Sequence, residues 1–315
     1  MLNAASSWAA FQVGALRHLV DDRRLHFDVH AGTGIGAMHA AFVACGELDA
    51  LVEVWQRMGL RRLVRPSLRH PWRGPFTGAP QRRLIAAHVS ESRLVARGTV
   101  VAAAVVDLRT GRVDHLVWPG CDLPIVDGLM AAVATPGLLA PVAHGGRDLA
   151  EATVVDAVPL RAVTDGALPG VGPVDEVVAV LATPLAGRRR YDTWRAVADR
   201  AVAVNLAHDA DAAVDDATRD AAAAGAFDRV DRDLGPALAA LVDDPQVRDR
   251  LVATVAGRRA AAAAAHPGRP RPPRLHVVRP TEPLDFPLWR FRDADVTDAF
   301  LHGHAAARAV MDAVP

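Results

Sequence analysis

Apolar side chains at Trp8, Phe11, Val13, Leu16, Leu19 and Val20 recur at helical spacing, and Asp21-Asp22-Arg23-Arg24 closes that segment with charge. The period then changes. Residues 25–31 read as a short strand whose apolar run is 27–31, and an Ala-rich helix follows to about Cys45-Gly46. Residues 47–58 again show helical spacing. Six prolines and glycines between 65 and 80 predict a loop long enough to be a flap or entrance segment.

Residues 81–88 predict a helix, and 99–107 and 113–118 predict two strands joined by a hairpin at Leu108-Arg109-Thr110-Gly111-Arg112. A helix over 129–134 is stopped by Pro136-Gly137, and the apolar run 154–158 reads as a core strand. Residues 174–182 suit a buried parallel strand, 191–264 an Ala-rich helical excursion, and 266–274 a stiff Pro/Arg linker. A strand over 275–278 and a helix over 296–313 complete the pattern. Strands alternating with helices imply an α/β fold: a central, mainly parallel sheet with helices on both faces. Residues 1–315 are expected to form a single domain.

Composition narrows the function. The 36 basic residues balance 36 acidic ones, which argues against docking to nucleic acid or to an acidic membrane. Every basic residue is arginine. Without lysine there is no Schiff base, no pyridoxal-phosphate attachment and no P-loop lysine, and no cofactor is expected. Cys45 and Cys121 form no closely spaced framework. No apolar stretch approaches the ~20 residues of a membrane span, and no secretory signal opens the chain. A soluble, cytoplasmic protein is expected.

The densest chemical signal is Gly32-Thr33-Gly34-Ile35-Gly36-Ala37, set between the apolar run 27–31 and a helix. Hydrolases display a serine in this setting as Gly-x-Ser-x-Gly. Here the framing glycines are present and the nucleophile position is Gly34. Glycine has no oxygen with which to attack a carbonyl.

Four ordered stretches extend this signal. They are Ala10-Phe11-Gln12-Val13-Gly14-Ala15-Leu16, the elbow at 32–37, Ala134-Thr135-Pro136-Gly137-Leu138-Leu139-Ala140-Pro141-Val142, and Val154-Val155-Asp156-Ala157-Val158-Pro159-Leu160. Together with the hairpin at 107–112 and Val278-Arg279-Pro280, this set resembles the patatin-like phospholipase family. The resemblance implies a lipid acyl hydrolase fold with a Ser–Asp dyad and a glycine-rich oxyanion loop. The loop's Gly-Gly-Gly-x-Arg-Gly corresponds to Ala4-Ala5-Ser6-Ser7-Trp8-Ala9, so its four glycines are missing and Trp8 stands at the arginine. Such glycines let backbone N–H groups converge on an oxyanion. The Asp-Gly-Gly motif corresponds to Glu151-Ala152-Thr153, where a longer carboxylate has lost both turn glycines. The family's strand before the oxyanion loop has only Met1-Leu2-Asn3 to form it, so a neighbouring strand edge is expected to be exposed.

The resemblance implies a binding surface made of Ser6, Ser7, Trp8, Gly32, Gly34, Ile35 and Glu151. Ser6 and Ser7 either supply a hydroxyl from across the pocket or cap the helix at Trp8, and capping is the expectation. Glu151 either activates a water or is a solvated turn carboxylate, and the solvated state is expected. His30, His39 and His144 match no metal signature and suit packing or solvent roles. His302 and His304 are two apart on a helix and do not chelate together. Cys121 is expected to be an unreactive thiol. The leading expectation is a catalytically inactive patatin-like protein that binds a lipid or acyl ligand or a protein partner. One alternative is an active hydrolase using Glu151 and water, and another is an interaction protein whose pocket has collapsed around Trp8.

Overall fold

The computed structural model describes residues 1–315 apart from 58, 60–62, 69–71, 73, 185, 188–189, 242–243, 266–271, 285 and 314–315. Its strands are β1 (Val29–Thr33), β2 (Arg65–Pro66), β3 (Phe76–Thr77), β4 (Val100–Asp107), β5 (Arg112–Trp118), β6 (Val142–His144), β7 (Arg147–Glu151), β8 (Glu176–Val180) and β9 (Arg274–Val278). Its α-helices are α1 (Ala10–Arg17), α2 (Ile35–Ala44), α3 (Leu48–Gln56), α4 (Ala79–His88), α5 (Glu91–Arg97), α6 (Ile125–Ala132), α7 (Leu160–Thr164), α8 (Trp194–Leu241), α9 (Pro245–Ala265) and α10 (Asp293–Asp312). A 3₁₀ turn over Ser6–Ala9 leads into α1, and a π-helical turn over His18–Asp22 leaves it.

The fold is α/β with a mixed sheet. β1 pairs with β4 in parallel, as β8 does with β9, whereas β5 and β7 join β4 antiparallel. Side chains alternate between the two faces, as strand geometry requires. Val101, Ala103, Val105, Val178 and Val180 join a core with Phe11, Met38 and Phe42 of α1 and α2. Ala102, Val177 and Ala179 join a second core with Leu160 and Val163 of α7 and Ala210 and Ala213 of α8. Burial on both faces explains why these strands read as continuous apolar runs rather than alternating ones.

The chain's first residues close part of the sheet. The Leu2 N–H donates to the Ala31 carbonyl at 2.9 Å, Thr33 donates to Leu2 at 3.1 Å, and Val180 donates to Met1 at 2.8 Å. Met1 and Leu2 thus form one rung between β1 and β8, so those edges are joined there rather than left bare. Beneath the rung lies a groove of about 440 Å³, lined by Phe27, Val29, His30, Pro173, Val174 and Glu176 among others.

Other expectations change. Residues 154–158 are not a strand. Val155 and Asp156 both donate to the Ala152 carbonyl in a turn, and Val154 and Val155 are exposed. The β-branched run sits just past the end of β7, where the chain reverses toward α7, so it cannot pair. The β6–β7 hairpin and α5, which Ser90 caps by accepting from the Arg93 N–H, are additional elements. The loop at 65–80 holds the short β2–β3 pair, and its residues 69–71 and 73 lie outside the described residues. So do 266–271 of the Pro/Arg linker, whose last residue, Arg274, opens β9. Among the described residues, no helix is long and apolar enough to cross a membrane.

Candidate functional site

The site forms where β1 turns into α2. β1 ends at Thr33 and α2 starts at Ile35, so the reversal falls on Gly34, with φ 59° and ψ −131°. A residue with a β-carbon is strained at such angles, and glycine is not. The framing glycines serve close approach instead. A β-carbon on Gly36 would overlap the carbonyl oxygens of Leu2 and Asn3, and one on Gly32 would overlap the Gly36 backbone. The partly buried Ile35 packs against the core that includes α1 and α2.

Sheet register brings Glu151 to this turn. Along one edge of β4, β1 pairs as far as Thr33 opposite Ala104, and β7 takes over with Glu151 opposite Val105. The last residue of β7 therefore abuts the last residue of β1. The Glu151 carboxylate occupies the position that a side chain on residue 34 would take, so a β-carbon there would overlap its Oε1. The Ala4 β-carbon forms the other wall, 3.2 Å from that position.

Glu151 is buried, not a solvated turn carboxylate. Its Oε2 accepts the Thr135 hydroxyl at 2.6 Å, and its Oε1 accepts the Thr153 hydroxyl. Burial pushes its pKa up, and the two threonine hydrogen bonds oppose that shift. The Thr33 hydroxyl, at the end of β1, is buried without a partner among the described residues.

The loop before α1 faces elsewhere. Ser7 is buried, and its hydroxyl donates to the carbonyls of Leu288 at 2.6 Å and Pro287 at 3.2 Å. The Trp8 indole donates to the Phe286 carbonyl at 3.0 Å. Neither Ser6 nor Ser7 caps the helix through its side chain. Ser6 instead holds φ at 45°, at the third glycine position of the resemblance. Backbone amides of this loop already have acceptors: Ala4 donates to Ala157 at 3.1 Å, Ser7 to Leu288 at 3.0 Å and Trp8 to Ala5 at 3.0 Å. The structure thus brings together Gly32, Gly34, Ile35 and Glu151, and it ties Ser7 and Trp8 to the segment before α10.

The patatin-like phospholipase family model matches residues 2–164, from the N-terminal rung through the elbow and Glu151 to the end of α7. The chain belongs to this family. A search of curated proteins found no match. In this patatin-like chain the long helices α8 and α9, with β9 and α10, lie beyond the matched segment.

A buried polar chain underlies the patatin-like elbow. The Trp55 indole donates to His39 Nε2 at 2.8 Å, and His39 Nδ1 bonds the Gln12 side-chain oxygen Oε1 at 2.9 Å. With Nε2 accepting, the proton sits on Nδ1 and donates to Gln12. Gln12 Nε2 donates to the Asn3 backbone carbonyl at 2.7 Å and to its Oδ1 at 3.0 Å. Asn3 in turn donates to the Thr183 hydroxyl at 2.9 Å and accepts the Ala182 N–H at 2.9 Å. This chain anchors Asn3 and hence Ala4, one wall of the site. Burial alone lowers the His39 pKa to about 3, so the ring is neutral. His30 is likewise lowered to about 3, chiefly by burial. His144 lies apart, bonded to Asp122 at 3.0 Å. Burial raises the thiol pKa values of Cys45 and Cys121, which keeps both protonated.

Asn3, Ala4, Gln12, Thr135 and Thr153 also shape the site, although their motifs in the sequence do not mark them as site residues. Gln12 had a visible signal, since it is a lone amide between Phe11 and Val13 on an apolar helix. Thr135 sits in the Ala-Thr-Pro-Gly stretch that carried the resemblance, and Thr153 follows Glu151 by two.

Proposed function

We propose that this patatin-like chain does not cleave acyl esters and works by binding an acyl-bearing ligand. The observation that carries this reading is the Glu151 carboxylate in the space a nucleophile's side chain would need at residue 34. Gly34 has no attacking atom. Three amides of the oxyanion-loop segment are committed to protein carbonyls instead of pointing at a developing oxyanion. Activation of a water by Glu151 is disfavoured, because both carboxylate oxygens accept hydroxyls and burial favours the protonated form.

Binding has a place to occur. A cleft of about 570 Å³ opens beyond Trp8, lined by Tyr191, Trp194, Phe286, Leu288 and Trp289 among others. Its size and aromatic lining suit an apolar chain. Gly34 and Glu151 do not line it, so ligand would sit on the far side of Trp8 from the elbow's chemistry.

A fluorescent polyene fatty acid titrated into the full chain, beside a p-nitrophenyl ester assay, tests both halves. Saturable binding weakened at least tenfold by Trp8→Ala, with no ester turnover, supports the reading. Turnover that disappears in Glu151→Gln would establish a working hydrolase instead. Absence of saturable binding would leave a partner-binding protein and overturn the ligand half.

A further inference from the structure

Away from the elbow, helices α1 and α10 cross in backbone contact. A β-carbon on Gly14 would overlap the Phe300 carbonyl, and one on Gly303 would overlap the Phe11 carbonyl. This crossing fixes the register between the two helices. It sets His304 of α10 against the π-helical turn that ends α1, where the Arg23 N–H reaches back five residues to the His18 carbonyl at 2.9 Å. Such widened turns recur at functional sites.

Three donor atoms converge there. Asp22 Oδ2 lies 3.0 Å from His18 Nδ1 and 2.8 Å from His304 Nε2. All three ligand atoms lie within 4.8 Å of one another, and the two rings meet edge to face with centroids 5.0 Å apart. We propose that His18, Asp22 and His304 form a binding site for a divalent transition-metal ion of the zinc type.

The donor set decides the class of ion. Two imidazoles and one carboxylate suit zinc, cobalt or nickel, whereas calcium and magnesium take oxygen ligands. A tetrahedral ion with bonds of ~2.0–2.1 Å holds its ligand atoms about 3.3 Å apart, close to the two Asp22 separations already present. Closing the site therefore needs only a small outward shift of the carboxylate and an approach of the two rings.

Surroundings are consistent with that use. His18 is buried, and its Nε2 has no partner among the described residues, so Asp22 is the polar anchor of the ring. Nearby cations are engaged with other acids: Arg17 with Asp21 and Asp49, and Arg23 with Asp312. Asp22 and His304 face solvent, with side chains 50% and 35% exposed, so the remaining coordination positions fall to water. An ion here would staple the C-terminal helix to the end of α1. The expectation that His302 and His304 do not chelate together is compatible with this arrangement, since His304 would chelate with residues of another helix.

Cobalt(II) titration of the full chain, followed by visible absorbance, tests the site, with zinc competition giving its affinity. One equivalent should bind with tetrahedral-type absorption, and zinc should raise the melting temperature. His304→Ala and Asp22→Asn should each weaken binding at least tenfold, while His302→Ala should bind as the parent does. Asp22→Asn changes a half-exposed side chain, so it keeps the test decisive if His304→Ala fails to fold. Equal binding by the parent and Asp22→Asn, or no stoichiometric binding by the parent, would overturn the proposal.

Discussion

Glu151 fills the space that a side chain on Gly34 would occupy. The two positions are complementary, because the Glu151 carboxylate lies where a β-carbon on residue 34 would stand, in overlap with its Oε1. Gly34→Ser alone is expected to cost ~1–3 kcal/mol, from a β-carbon at positive φ and its overlap with the carboxylate. Glu151→Asp should relieve the overlap, so the double variant should be more stable than the sum of the singles. Urea unfolding of the four proteins measures that coupling; additive losses would show that the two positions are independent.

Glu151→Gln should not destabilise the protein at pH 8. Burial raises the carboxyl pKa, so the native state is favoured with the group neutral and loses that advantage as pH rises through the folded value. Gln carries no charge to bury. Its melting temperature should match or exceed the parent's at pH 8, and the difference should shrink as pH falls to the ordinary carboxylate range. A large loss at pH 8 would show that the charged form is held favourably.

Acid should unfold the protein well above the usual carboxylate range. His30 and His39 are lowered from 6.5 to about 3 by burial, so the unfolded chain binds protons that the native one refuses. Their stabilisation is complete above pH 6.5 and is lost as pH falls toward 3. At pH 5 the loss should be about 2 kcal/mol for each ring. Denaturant midpoints measured from pH 7.5 to 5 check this; a flat profile would contradict it.

Ser6 and Ser7 should respond oppositely to substitution. Ser6 sits at φ 45°, so Ser6→Gly should be neutral or slightly stabilising, as strain relief offsets the added freedom of the unfolded chain. Ser7→Ala removes a buried hydroxyl bonded to Leu288 and should cost about 1 kcal/mol. Thermal melts of both variants distinguish a strained loop serine from an anchored one.

The elbow is legible in the sequence because its requirements are local. Gly32 and Gly36 answer a close approach of backbone, Gly34 answers a positive φ, and all three lie within five residues. The state of Glu151 is not local. It follows from β7 replacing β1 along β4, a register that neither strand encodes alone, so a residue that reads as a solvated turn acid is buried. Val154 and Val155 mislead for a related reason. Their β-branched side chains suit a strand, but they fall where the chain reverses, and no strand pairs with them among the described residues. The sequence pairs His304 only with His302, because His18 and Asp22, nearly three hundred residues away along the chain, are brought to it by a helix crossing.

Intact-mass spectrometry after incubation with a serine-directed fluorophosphonate is the most direct test of the claim that the elbow carries no acyl-enzyme chemistry. The mass of the chain should be unchanged. A single stoichiometric adduct, mapped to Ser6 or Ser7, would contradict it.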